Sequence, residues 1–436
     1  MTNDNFDSSL IKVISGLKNN KFSIEKMLDD VCEKLTVEDS IVKSILPEPN
    51  RRRRLQNDLE KLYSRYPDTK QRPLLFGIPI GVKDIFNVDG FATKAGSKLP
   101  ESIFSGKEAV CVTSLKNAGA LILGKTVTTE FAYYEPGPTR NPRNPQHTPG
   151  GSSSGSAAAV AANFCPLTLG TQTIGSIIRP AAYCGVVGVK PSSSRISNNG
   201  VFPFSPSVDQ VGFFVKDTES ALTAASILVD DWKVTDYCPR EDIVLGIPEG
   251  SYLQQADQNV LSTFRNDIEK LKTGGVRIIQ FKTLDNIKEI NRLHQIIIAK
   301  EFAEVHWNLF KKYGELYSGI AVELMNEGMR VSENDLEKAL SGRTEYRALL
   351  QKQMQELNLD FLITPAVSTF APFGLNSTGS PIMNLPWTYY GLPVAVIPGS
   401  KIKHNLISGL QIIAPYGQDE FLLGNLTTLA KTWEVQ

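Results

Sequence analysis

The block TPGGSSSGSAAA, residues 148–159, constrains this chain more than any other stretch. Runs rich in glycine and serine often serve as flexible linkers. Here helix and strand signals flank the run. SGSAAAVAA predicts a small-residue helix from about Ser154, and PLTLGTQT predicts a buried strand after it. A Gly/Ser segment set among such elements belongs inside a core, not between domains. A length of 436 residues allows two or three domains or one large α/β domain; the chain is read as one domain, 1–436, with residues 1–70 as an N-terminal helical region packing on it.

Other segments agree with an α/β class. Residues 6–35 predict two short amphipathic helices broken near Asn19, and a third helix runs from about Arg51 to Tyr63. PLLFGIPIGVKD begins a buried strand, and ALIL and VVGVK are strands too. IVLGIPEG, a helix from about Asp257 to Thr273, and VRIIQF form a β-α-β run. Helices follow over about Ile287–Lys312 and Glu333–Leu357. Then come strands in DFLITP, PVAVIP and GLQIIA, and a last helix over about Glu420–Trp433.

Composition excludes several functions. Acidic and basic residues balance at 46 each, which implies no polyanionic partner. The run Arg51–Arg54 opens a helix and reads as a solvated face, so no nucleic acid is expected. No run of 18 apolar residues exists, so no membrane is expected. MTNDNFDSSL lacks a signal-peptide core. Five scattered cysteines (Cys32, Cys111, Cys165, Cys184, Cys238) without CxxC spacing read as free thiols, hence a cytoplasmic expectation. His147, His294, His306 and His404 share no ligand spacing, so no metal is expected.

Two motifs match by letter only. Gly119 to Thr126 reads GxxxxGKT, but its intervening ALIL is a strand, where a phosphate loop needs a turn. Gly151 to Gly155 reads GxSxG around Ser153, but NPQHTPG leads into it as a loop, where a nucleophile elbow needs a strand.

Three stretches carry candidate chemistry. In GIPIGVKD, Lys83 ends an apolar strand between Val82 and Ile85. Burial lowers a lysine pKa from its reference of about 10.4, and a neutral lysine can act as a base. In TPGGSSSGSAAA the bland reading is a loop whose serines cap a helix. In TQTIGSIIRP, residues 171–180, Ser176 reads as either a turn residue or a nucleophile. Together and in order, GVKD, PGGSSSGSAAA and GTQTIGSIIRPAAYCGVVGVKP resemble the amidase signature family. Ser152 and Ser176 lie 24 residues apart, which fits. The resemblance covers most of the chain from about Gly77, through NLPWTYYGLPVAVIP and GLQIIAP.

The resemblance implies an amidase signature fold, a mixed twisted β-sheet core covered by helices on both faces. It implies hydrolysis of a small linear carboxamide through an acyl-serine intermediate, with no cofactor. Ser176 is then the nucleophile, Ser152 the middle serine held by a cis peptide bond, and Lys83 the base. Backbone N–H groups of Thr173, Ile174, Gly175 and Ser176 form the oxyanion hole. Arg179, Tyr133 and Trp387 bind substrate. A homodimer is compatible with the resemblance.

Departures shape the rest. The family usually places glycine where Ile174 stands, and a β-branched residue disfavours positive φ. Either the isoleucine narrows the pocket or it attenuates the site, leaving an amidase-like scaffold. Many relatives carry Asp and Arg where this chain has Gln172 and Ile178. Gln172 with Arg179 resembles a malonamidase-like and biuret-pathway-like branch, in which Arg179 forks a substrate carboxylate. The bland reading of Arg179 is a core ion pair. The alternative activity is that of a glutaminase, an amidotransferase A-type subunit feeding ammonia to a partner.

Overall fold

A computed structural model describes residues 9–236, 239–240 and 242–434. Cys238 and most of MTNDNFDSSL lie outside the described residues. Ten strands build one sheet: β1 (Pro79–Lys83), β2 (Leu121–Thr126), β3 (Leu167–Gln172), β4 (Val187–Lys190), β5 (Gln210–Val215), β6 (Val244–Glu249), β7 (Arg277–Lys282), β8 (Phe361–Pro365), β9 (Val394–Lys401) and β10 (Ile407–Ile413). Their spatial order is β2-β1-β3-β5-β4-β9-β10-β8-β6-β7. β1 runs parallel to both neighbours, as does β6. The central strands β3, β5, β4, β9, β10 and β8 pair antiparallel. The sheet is therefore mixed, with helices flanking it, as expected. β1 to β5 are buried on both faces, which explains their near-continuous apolar sequences.

The sheet order brings distant sequence together. β1 and β3 are neighbours, with Val82 opposite Leu169. Lys83 and Thr171 thus end up side by side, 88 positions apart in the chain. The helix Ser154–Ala161 packs on β3; Thr168 Oγ1 donates to Ser156 O, and Ser156 Oγ donates to Leu169 O. Only small side chains permit that approach. A Cβ on Gly155 would collide with the backbone of Ser44 and Val127.

The first two helices are Leu10–Lys18 and Ile24–Val42; the break at Asn19 is as expected, and the second helix is longer than expected, running past residue 35. The third, Arg51–Arg65, corrects one expectation: Arg51–Arg54 is not simply a solvated face. Arg52 and Arg53 are exposed. Arg51 donates to Leu46 O at 2.7 Å. Arg54 donates to Ile122 O and Leu123 O at 2.8 and 3.2 Å and pairs with Glu48. The strand β2 is an edge, and Arg54 reaches two of its carbonyls.

Candidate active site

Lys83 is completely buried at the end of β1. Its Nζ lies 2.8 Å from Ser152 Oγ and 2.9 Å from Thr171 Oγ1. Among the described residues no carboxylate forms an ion pair with it. Burial holds its pKa well below the ordinary lysine range, and Asp209 opposes that only at a distance. Both near partners are hydroxyls, which can donate to a neutral amine as well as accept from an ammonium.

Ser152 follows a cis peptide bond from Gly151. Its carbonyl accepts from Thr129 N at 3.2 Å, and the Gly151 carbonyl accepts from Arg179 Nη2 at 2.7 Å. Ser153 plays a different part. It is buried, donates to Thr171 O and accepts from Thr171 N, so the GxSxG serine ties the loop to β3. The GxxxxGKT match also resolves into structure: Gly124, Lys125 and Thr126 lie in β2, and Lys125 pairs with buried Asp84 at 2.7 Å.

Ser176 sits in the turn between β3 and the helix Ile178–Cys184 and is 7% exposed. No protein group among the described residues bonds its Oγ, and no hydrogen bond closes the gap to Ser152. The amides of Thr173, Ile174, Gly175 and Ser176 also lack a protein acceptor among the described residues. Four free N–H groups beside one hydroxyl suit a developing oxyanion.

Gln172 explains how the turn is held. Its Oε1 accepts from Ile177 N at 2.8 Å and Ile178 N at 3.0 Å, satisfying two orphan donors of the helix start. Its Nε2 donates to Thr388 Oγ1 at 2.9 Å, and Thr388 Oγ1 donates to Ile174 O at 2.6 Å. Ile174 φ lies outside the left-handed region, so this position does not need glycine. Gly175 does need it: a Cβ there would collide with Asn384 Oδ1 and come within 2.8 Å of Pro381.

A cavity of about 10 Å³ touches Ser176, Ile174, Thr173, Arg179, Tyr133 and Tyr134. Such a space holds little more than one water. Arg179 is buried there. Its Nη2 donates to Gly151 O and to Thr378 Oγ1 at 3.2 Å, while Nε and Nη1 have no partner. The core ion pair of the bland reading is absent among the described residues. Trp387 is fully buried, donates to Tyr252 OH at 3.1 Å and does not line this cavity.

Asp209 is the main addition to the residues that the motifs single out. It stands just before β5, a strand that the sequence pattern does not announce either. Its Oδ1 accepts from Thr173 Oγ1 at 2.5 Å, and Oδ2 accepts from Phe204 N and Ser205 N at 2.8 and 2.9 Å. Burial pushes its carboxyl up to about 6. The available signal is SVDQVGFF, a lone acid entering an apolar run. Among the described residues no group of three or more His, Cys, Asp and Glu could hold a metal ion, and no helix is long and apolar enough to cross a membrane.

The amidase family profile matches residues 46–423. The chain belongs to the amidase signature family. The A-type subunit of a glutamyl-tRNA(Gln) amidotransferase from Lachnospira eligens is 31% identical over 388 residues, covering 78% of this chain and 80% of that one. Its counterpart from Thermus thermophilus is 32% identical over 396 residues, covering 80% and 83%. A crystal structure of an amidase superposes with a TM-score of 0.85 at 27% identity, covering 97% of this chain and 99% of that one. These relatives do not single out a malonamidase-like branch within the amidase signature family.

In this candidate site, Thr388→Val leaves Gln172 Nε2 and Ile174 O without their shared hydroxyl. The expected loss is about 1–3 kcal/mol of unfolding free energy, with Thr388→Ser losing less. Equilibrium urea unfolding measures it, and equal stability of the three proteins would show that the hydroxyl does not hold the turn.

Proposed function

We propose that this protein hydrolyses the C–N bond of a carboxamide, with Ser176 as nucleophile, Ser152 as relay and Lys83 as base. The approach of the Lys83 amine to Ser152 Oγ at 2.8 Å, with no carboxylate paired to it among the described residues, carries the reading. A serine hydroxyl is a weak nucleophile and needs a base within reach. Lys83 takes the Ser152 proton, Ser152 takes that of Ser176, and Ser176 Oγ adds to the carbonyl. The free amides of residues 173–176 receive the oxyanion. The proton returns to the leaving nitrogen, and water then releases the acid. Ser152 and Ser176 close their gap when substrate is bound, as catalytic hydrogen bonds often do.

The substrate class follows from Arg179. Two unpartnered nitrogens, Nε and Nη1, on a buried guanidinium beside the proposed nucleophile suit a carboxylate. Ile174 and the small cavity favour a short acyl group. A freestanding amidohydrolase for small acidic linear amides fits, as in the malonamidase-like branch. The similarity to the A-type subunits of amidotransferases favours a second reading for the nitrogen: glutamine is the amide, and ammonia passes to a partner. Gln172 and Ile178, where many family members carry a charged pair, weigh the other way. Steady turnover of amides by the isolated chain supports the first reading. Activity that depends on tRNA and on a co-purifying second subunit supports the second.

A fluorophosphonate probe is expected to label Ser176, to fail with Ser176→Ala and to weaken with Lys83→Ala; silence in the parent protein would favour a catalytically dead scaffold. The kcat/KM profile should rise with pH as Lys83 loses its proton, with a midpoint well below the ordinary lysine value of 10.5. A midpoint at the ordinary value would mean a solvated amine. Arg179→Ala should raise KM for acidic amides roughly tenfold or more over neutral ones, in line with a charged hydrogen bond of about 1.5–3 kcal/mol. Equal effects on both would reject the carboxylate role. Ile174→Gly widens the cavity and should shift rates toward longer acyl groups, which a substrate series reads; an unchanged series would acquit the side chain.

A further inference from the structure

A second cavity, of about 260 Å³, lies against the site. It shares Ala132, Thr173 and Phe204 with the small cavity at Ser176, so the two adjoin. Its own lining is mixed: Val201 and Phe202 are apolar, Asn198 and Asn199 bring amides, and Thr171 and Asp209 face it from the relay side. One water needs about 10–15 Å³ of such space, so this cavity takes a group of many heavy atoms.

The position of the cavity decides which part of a substrate enters it. An amide has an acyl branch and an amine branch. The acyl branch sits at Ser176 and Arg179, where the space is small. The leaving nitrogen collects its proton from the relay, so the amine branch faces Ser152 and Lys83. Lys83 Nζ lies 2.9 Å from Thr171 Oγ1, and Thr171 lines the large cavity. The large space therefore belongs to the amine branch. A primary amide releases only ammonia and has no use for it.

Charge narrows the class. Asp209 is the one ionisable group on the lining, and its oxygens are already taken by Thr173 Oγ1, Phe204 N and Ser205 N. Its Oδ2 accepts twice and its Oδ1 once, so the carboxylate is fixed against the protein, and the rest of the lining is uncharged and partly apolar. We propose that the 260 Å³ cavity is an amine-side subsite, and that the substrate is a secondary amide with a short acyl group and a neutral, partly apolar nitrogen substituent. This rests on the Ser176 reading above. The reaction balances simply: R–CO–NH–R′ and water give R–COOH and R′–NH₂. The C–N bond breaks, and the Ser176 proton ends on the departing nitrogen.

The test compares malonamic acid with N-benzylmalonamic acid, in which the carboxylate is kept and the amide nitrogen carries the benzyl group, each followed by release of ammonia or amine. The parent protein is expected to show at least tenfold higher kcat/KM for the N-benzyl amide. Val201→Trp, which fills the cavity, should lower the ratio of the two values at least tenfold. Phe202→Ala, which enlarges it, should raise the relative rate of an N-naphthylmethyl amide several-fold, and this second variant serves if the first does not fold. Cleavage of the primary amide with the ratios unmoved in both variants overturns the subsite and leaves the Ser176 reading standing. No turnover of either amide, with no labelling of Ser176, overturns both.

Discussion

The site depends on one buried amine whose neighbours are hydroxyls. Three lysines of the sheet are buried, and their surroundings differ. Lys125 faces Asp84 at 2.7 Å, a partner that favours its charge. Lys190 donates to Pro191 O at 3.1 Å, to Leu392 O at 2.5 Å and to Gln210 Oε1. Those oxygens only accept, so its hydrogens are committed to fixed bonds, although burial still draws its pKa down to about 7. Lys83 has only Ser152 Oγ and Thr171 Oγ1, groups that can turn to donate. Burial is common to the three, and Lys125 also meets a hydroxyl, Thr93 Oγ1 at 2.9 Å, beside its carboxylate; partners that are hydroxyls alone belong to Lys83. The freedom to turn and donate is what a base requires of the group it serves.

On one side, the turn that carries Ser176 is held by neutral groups. Gln172 caps the following helix with one end and reaches Thr388 with the other, and Thr388 grips the Ile174 carbonyl. A carboxylate at 172 would bring a second negative charge into the same region as Asp209, and a cation to match it would then also have to be buried. The amide does the mechanical work without either. On the opposite side Asp209 fixes Thr173 and the 204–205 backbone. The four amides are thus pinned from two sides while their own hydrogens stay free.

What is legible in the sequence follows from local chemistry. Strands buried on both faces announce themselves as apolar runs, so β1, β2, β3, β4, β6, β8 and β10 lie close to where the sequence predicts them. The three residues of the proposed relay, Lys83, Ser152 and Ser176, are legible because each sits in a run of small or apolar residues where a polar group is costly. Less legible is whatever depends on the sheet order. Asp209 looks like a surface residue after SPSV until β5 is seen to pair with β3 and carry it to Thr173. Arg54 looks like one of four solvated arginines until β2 is seen to leave carbonyls at an edge. Trp387 lies in a stretch associated with pocket walls, yet its indole N–H is spent on Tyr252, inside the core.

Ile174 shows how a departure from a family pattern is resolved by geometry. Two properties of glycine are separable here, its tolerance of positive φ and its lack of volume. Residue 174 does not use the first, since its φ is outside the left-handed region. Residue 175 uses the second, because Asn384 and Pro381 press on it. A β-branched side chain at 174 therefore leaves the amide directions to Gln172, Thr388 and Asp209 and spends its own volume on the cavity wall. The isoleucine shapes the wall of the small cavity, and the free amides of residues 173–176 remain a property of the backbone held beneath it.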